Sequence, residues 1–214
     1  MKGSIYIAVI GDVIRSRDVK DREALQQNLR LAIERVNNTY GETIAAGFVL
    51  TIGDEFQGLL KRVAGMEVLL AKLRSAVHPD ELRFGLGLGG LDTPLERVAL
   101  GMDGSCFHRA RLAINRAAQR RTEIEVETGT AEPSFHIYAF LYSGIRRGWT
   151  ERQREVIDLS MSGVSGKMIA NRLGITASAV SQHLHAAEAE IVFEASKHWI
   201  QAVEEAFRKA GEDG

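Results

Sequence analysis

The chain of 214 residues holds one cysteine, almost no net charge and no long apolar run. A single thiol, Cys106, excludes an intramolecular disulfide and any zinc cluster built on cysteines. A net charge of −1 sets up no global basic field, so contact with nucleic acid would have to be local. No stretch approaches the roughly 18 consecutive apolar residues of a membrane-spanning helix. The apolar opening at 5–10 is too short for a signal peptide and runs straight into Gly11-Asp12. The expectation is a soluble, cytoplasmic protein with no membrane partner. Gly85, Gly87, Gly89 and Gly90 lack the lysine of a phosphate loop and the strand-then-helix setting of a dinucleotide fingerprint, which excludes both.

What is present suffices for one sizeable core and a small second domain. Residues 5–10 read as a buried central strand that ends in the acid Asp12. Residues 44–52 and 55–60 read as a hairpin around Gly53-Asp54, two residues that tolerate the positive φ of a primed turn. The tip therefore carries two carboxylates, Asp54 and Glu55. Ligands of open α/β sheets sit beyond the carboxyl ends of strands. Hard cations such as Mg or Mn take carboxylate oxygens and share them with phosphates. Neighbouring strands lie about 4.8 Å apart, so Asp12 and the hairpin acids can share an ion. The same acids also make sense as structural groups, with the first domain serving only to dimerise the chain. Arg15, Ser16, Arg17 and Lys20 follow as a polar loop whose donors either meet phosphates or are simply solvated.

Three phrases carry a family resemblance. They are Ala8-Val9-Ile10-Gly11-Asp12-Val13-Ile14-Arg15-Ser16-Arg17, then Gly53-Asp54-Glu55-Phe56-Gln57-Gly58-Leu59-Leu60, then Met102-Asp103-Gly104-Ser105 leading to Ala110-Arg111. Together they resemble the bacterial SatD family over nearly the whole chain. The first domain looks like the nucleotidyl cyclase fold of GGDEF domains and class III adenylyl cyclases. That resemblance implies Mg or Mn on Asp12 and on Asp54 or Glu55, and a nucleotide contacted by Arg15, Ser16, Arg17 and Arg111. Two positions depart from those patterns. Ile52 stands where the GGDEF signature has its first glycine, and Phe107 stands where class III cyclases carry an Asn four residues before an Arg.

Apolar periodicity predicts helices over 21–40, 63–77 and from 105 to about 119, a strand over 82–88 and an edge strand at 124–126. The order β-α-β-β-α-β-α-β gives the fold class α+β, a ferredoxin-like or nucleotidyl-cyclase-like α/β sandwich over 1–132. A connecting helix is expected over 133–148, and an all-α domain over 149–214. In that domain Thr150 and Gln153 form a capping box. Ala170, Gly174 and Val180 have helix-turn-helix spacing, and the stretch resembles sigma-factor region four and LuxR-type regulators. On DNA, Ser178, Ser181, Gln182 and His185 would read base edges. Thr176 and its helix N-terminus would hold a phosphate, beside Lys167 and Arg172. Six bases against three acids over 146–184 leave a local positive excess. From Val180 a stripe through Leu184, Ile191, Trp199 and Ala206 predicts one long C-terminal helix, packed on the first domain or on a second copy. A homodimer on paired half-sites follows. The resulting expectation is a DNA-binding transcriptional regulator that senses a nucleotide with a divalent metal. The alternative is a metal-dependent nucleotidyl transferase or cyclase.

Overall fold

The computed structural model describes residues 4–213. Five strands, β1 (Tyr6–Val13), β2 (Ile44–Leu50), β3 (Phe56–Leu60), β4 (Leu82–Gly89) and β5 (Ile124–Glu127), form one sheet in the order β2-β3-β1-β4-β5. The apolar β1 is central and antiparallel to both neighbours. With helices α1 (Arg22–Thr39) and α2 (Met66–Val77), the first four strands make the split βαβ arrangement of ferredoxin-like sheets. Helix α3 (Ser105–Arg120) then returns the chain so that β5 pairs parallel to β4.

The period of two in β4 sorts its residues between two cores. Leu82, Phe84, Leu86 and Leu88 pack with Leu29 and Val36 of α1 and Leu69 and Leu73 of α2. The intervening glycines face α3. A Cβ added to Gly87 would lie 2.1 Å from both the Ala110 nitrogen and the Cys106 carbonyl oxygen. Only a residue without a side chain lets α3 approach the strand so closely. Ala8 and Ile10 of β1 meet Cys106, Phe107, Ala110 and Ile114 of α3 on this face. Helices thus cover both faces of the sheet, one layer more than a simple α/β sandwich has.

The hairpin tip is wider than the two-residue turn expected. Thr51 N–H donates to the Glu55 carbonyl (2.8 Å) and Glu55 N–H to that of Ile52 (3.2 Å). Gly53 alone takes a positive φ, 68°. Asp54 stays out of the left-handed region, and its carboxylate reaches back to accept from Val13 N–H (3.2 Å). Across the sheet, the outer edge of β2 is occupied. The Asn37 side-chain amide accepts from Phe48 N–H (2.8 Å) and donates to the Phe48 carbonyl (2.9 Å). Gly47 exchanges backbone bonds with Arg97 and Ala99.

The C-terminal part comprises α4 (Pro133–Gly148), α5 (Glu151–Met161), α6 (Gly166–Leu173), α7 (Ala177–Ala186) and α8 (Ala189–Asp213). Thr150 and Gln153 make the capping box, and Ser165 and Thr176 cap α6 and α7. Val156, Leu159, Ile169, Ala170 and Val180 form a small core beneath α5–α7. The stripe expected as one helix from Val180 is broken. Glu188 has φ 52°, and the Ala187 carbonyl accepts from the Trp149 indole (3.0 Å) instead of continuing a helical ladder. Helix α8 packs on this same chain: Trp199 stacks on Tyr138 of α4 at 5.0 Å, and Trp199 and Val203 join the core that holds the sheet's lower face. No helix among the described residues is long and apolar enough to cross a membrane.

One buried polar knot ties the C-terminal helices to the sheet. The Arg146 guanidinium, 2% exposed, pairs with Glu123 just before β5 (2.7 Å) and with Asp158 of α5 (2.7 and 3.1 Å). Burial opposes the Arg146 cation, but Asp158 and Glu123 outweigh it and hold the guanidinium above its ordinary range.

Candidate functional site

Asp12 lies near the end of β1, on the same face as Ala8 and Ile10. Its register partner on β4 is Arg83. The Arg83 guanidinium grips both carboxylate oxygens, at 3.0 and 2.6 Å. Burial pushes the Asp12 carboxyl up, Arg83 pulls it back, and the charges of Asp54 and Glu55 add to the rise. The three acids share one neighbourhood. With Arg15, Ser16, Arg17 and Arg83 they line a mouth of about 500 Å³ at one end of the sheet. The chain leaves β1 through Arg15 and a short 3-10 turn, Ser16–Asp18, which brings the polar loop to this mouth.

Arg111 reaches it from α3. Its guanidinium holds both oxygens of Glu55, at 2.5 and 2.7 Å, and Thr51 Oγ1 donates to one of them (3.3 Å). The Arg111 bond holds Glu55 below its ordinary carboxylate range. All seven residues expected at a metal and nucleotide site therefore meet here, together with Arg83. No local signal in the sequence marks Arg83, since only strand register places it beside Asp12.

The donor set does not fit a divalent cation in this arrangement. Asp12 is filled by one arginine fork and Glu55 by another, and one Asp54 oxygen accepts from the backbone. Among the described residues no three His, Cys, Asp or Glu side chains come together as metal ligands. Chemically the mouth presents guanidinium groups, two of them oriented by carboxylates. Such forks match phosphate oxygens as well as carboxylates. Cys106 takes no part: it is buried in α3, and burial pushes its thiol up to about 11, which keeps it an unreactive thiol.

The Glu55–Arg111 pair gives a pH signature. Glu55 titrates below its usual 4.5 in the folded chain. Its contribution to stability is therefore present above pH 4.5 and lost as pH falls through the lower folded value. Urea midpoints measured down a pH series should fall more gently for Glu55→Gln than for the wild type. Equal acid slopes would show that the pair contributes nothing to folding.

The other expected surface lies on α6 and α7. Lys167, Arg172, Thr176, Ser178, Ser181, Gln182 and His185 are all exposed. Thr176 Oγ1 is engaged as a cap by Ala179 N–H (3.0 Å), and Ser181 Oγ donates to the Ala177 carbonyl (3.2 Å). The local positive excess read over 146–184 does not reach this face. Arg146 is buried, Arg152 pairs with Glu155, Arg154 with Glu81, and Arg147 donates to the Arg121 carbonyl. Of the six bases only Lys167 and Arg172 belong to α6, and α7 carries no arginine or lysine.

Among solved structures, a bacterial light-regulated adenylyl cyclase is similar at 15% identity and a TM-score of 0.42, covering 57% of this chain and 75% of that one. The catalytic core of a rhodopsin-guanylyl cyclase with converted specificity, in complex with ATPalphaS, is similar at 15% identity and a TM-score of 0.35, covering 51% and 71%. No curated protein matches the chain. The SatD family model matches residues 6–202, and with nearly the full length accounted for, the chain belongs to the SatD family.

Proposed function

We propose that the protein is a nucleotide-sensing regulator, with its sensor at the end of the sheet and a DNA-contacting helix-turn-helix in α5–α7. The observation that carries the sensor is the convergence of Arg15, Arg17, Arg83 and Arg111 with Ser16 and the acids Asp12, Asp18, Asp54 and Glu55 on one mouth. Phosphates offer guanidinium groups the same paired oxygens that Asp12 and Glu55 now supply. A triphosphate would take the free arginines first and then compete for Arg111. Asp12 and Glu55 act here as orienting groups, which keep two guanidinium planes fixed before a ligand arrives.

The DNA arm is supported by the α6-turn-α7 geometry, with Gly174 in the turn at φ 64° and Ser178, Gln182 and His185 exposed on α7. The scarcity of cations on that face means that phosphate contacts contribute little affinity. Base reading would then rest on a homodimer, which doubles the contacts.

Calorimetric titration with ATP and GTP, with and without Mn²⁺, tests the sensor. Heat is expected without metal, and Arg111→Ala should weaken binding at least tenfold. No heat with either nucleotide in a folded protein would sink the sensor and leave an inert sheet. Fluorescence anisotropy on a random duplex pool, with and without the nucleotide, tests the DNA arm. A second reading, metal-dependent nucleotidyl transfer, is favoured by the meeting of Asp12, Asp54 and Glu55 at one mouth. It requires both arginine forks to release their acids. Metal-dependent turnover lost in Asp12→Asn would select it.

A further inference from the structure

Beside the mouth just described lies a larger cleft, of about 810 Å³, between the end of the sheet and the start of α5. It falls within the size range of small-molecule sites. Arg15, Asp18 and Arg83 line both hollows, so the two adjoin. Arg121, Arg147 and Arg154 complete the cationic wall.

Backbone conformation singles out two of these arginines. Among the described residues only three that are not glycine have positive φ: Arg15 (56°), Arg121 (58°) and Glu188 (52°). Two of the three are arginines, and both line this cleft. Arg121 is the C-cap of α3, a position where glycine or asparagine fits the left-handed region with less strain. Among the described residues, neither the Arg15 nor the Arg121 guanidinium makes a hydrogen bond, an ion pair or a ring contact; both residues are bonded through their backbones alone. Internal bonding therefore does not explain why a charged, long side chain occupies either place.

Two of the four acids of the cleft are already paired. Glu81 is engaged by Arg154 (3.3 Å) and Glu123 by Arg146 (2.7 Å), which leaves Asp18 and Asp80. Arg147 is fixed through its bond to the Arg121 carbonyl (2.9 Å), which also braces the backbone that carries the Arg121 guanidinium.

We infer that this cleft is a binding site for a polyphosphate-bearing small molecule, with Arg15 and Arg121 as its cations. The site deepens the sensor reading, and rests on it only through the shared Arg15 and Arg83. A ligand seated here touches the sheet through Arg83, the loop after β1 through Arg15, and the C-terminal helices through Arg147 and Arg154. Its arrival would therefore be felt by α5 directly.

Calorimetry on the full chain with inorganic tripolyphosphate, and in parallel with ATP, tests the site. The variants are Arg121→Gly, Arg121→Asn and Arg111→Ala. Glycine and asparagine both tolerate the left-handed backbone, so the melting temperature should hold or rise while tripolyphosphate affinity falls at least tenfold. If both Arg121 variants bind tripolyphosphate like the wild type, or if the wild type binds none, the inference is overturned. If Arg111→Ala alone weakens ATP, the sensor mouth stands and this cleft does not. If the Arg121 variants weaken tripolyphosphate and Arg111→Ala leaves ATP untouched, the cleft stands without the mouth. Loss of ATP but not tripolyphosphate in the Arg121 variants would also overturn the inference, since it would place the nucleoside and not the phosphates in the cleft.

Discussion

Replacing Arg146 with methionine is expected to lower folding stability by about 3–5 kcal/mol at neutral pH, because it takes from two buried carboxylates the guanidinium that pairs with both. Glu123 and Asp158 are 8% and 6% exposed at their side chains, so water offers little relief. Burial already pushes the Glu123 carboxyl up, and Arg146 is the strongest force pulling it back. Without Arg146 the folded-state carboxyl rises further. A raised folded value gives stability at low pH that is lost as pH climbs through it. The deficit of Arg146→Met should therefore shrink on acidification, the reverse of the Glu55 behaviour. Adding Glu123→Gln and Asp158→Asn should recover most of the loss. Urea unfolding at several pH values measures both effects. A deficit under about 1 kcal/mol that ignores pH would show that the triad is dispensable.

The second large effect is expected at Gly87. Its added Cβ would stand 2.1 Å from two backbone atoms of α3, which cannot rotate away as a side chain could. Gly87→Ala must lift α3 from the sheet, and overpacking of this kind costs about 3 kcal/mol or more. Gly144 in α4 is the control. The one heavy atom near its added Cβ is the tip of Arg147 at 3.8 Å, and alanine there should stabilise the helix by about 0.5–1 kcal/mol. Because α3 carries Arg111, its displacement also pulls the guanidinium from Glu55. If the proposed sensor binds nucleotide, that affinity should fall along with stability in Gly87→Ala. Thermal melts and titrations on the same samples separate the two readouts. A Gly87→Ala protein that melts with the wild type would mean α3 is held far more loosely than its contacts imply.

Both residues also mark what could be read from the chain alone. The glycines of β4 alternate with four large apolar side chains, a period of two that is visible in the chain and leaves one face of the strand open to close backbone approach. The capping box at Thr150 and the turn at Gly174 were legible because they are decided within four or five residues. The convergence of Asp12 with Asp54 and Glu55 was legible because a strand end and a hairpin tip are recognisable signals. Their partners were not. Arg83 meets Asp12 only through the β1–β4 register, and Arg111 meets Glu55 from across the sheet's second face. Arg146 counts toward the local positive excess over 146–184 because nothing local to it reports that Glu123 and Asp158 close around it. Long-range pairing decides whether a charge faces water, and a single sequence carries no record of that pairing.

The Asn37 side chain has a consequence for assembly. It occupies the outward N–H and C=O of Phe48 as a neighbouring strand would, and the 97–99 segment does the same for Gly47. The middle of β2 is therefore closed to another chain seeking a strand to lengthen. Newly made copies crowded together on a polysome cannot zip through this border, and a stable pair of molecules must be joined by another surface.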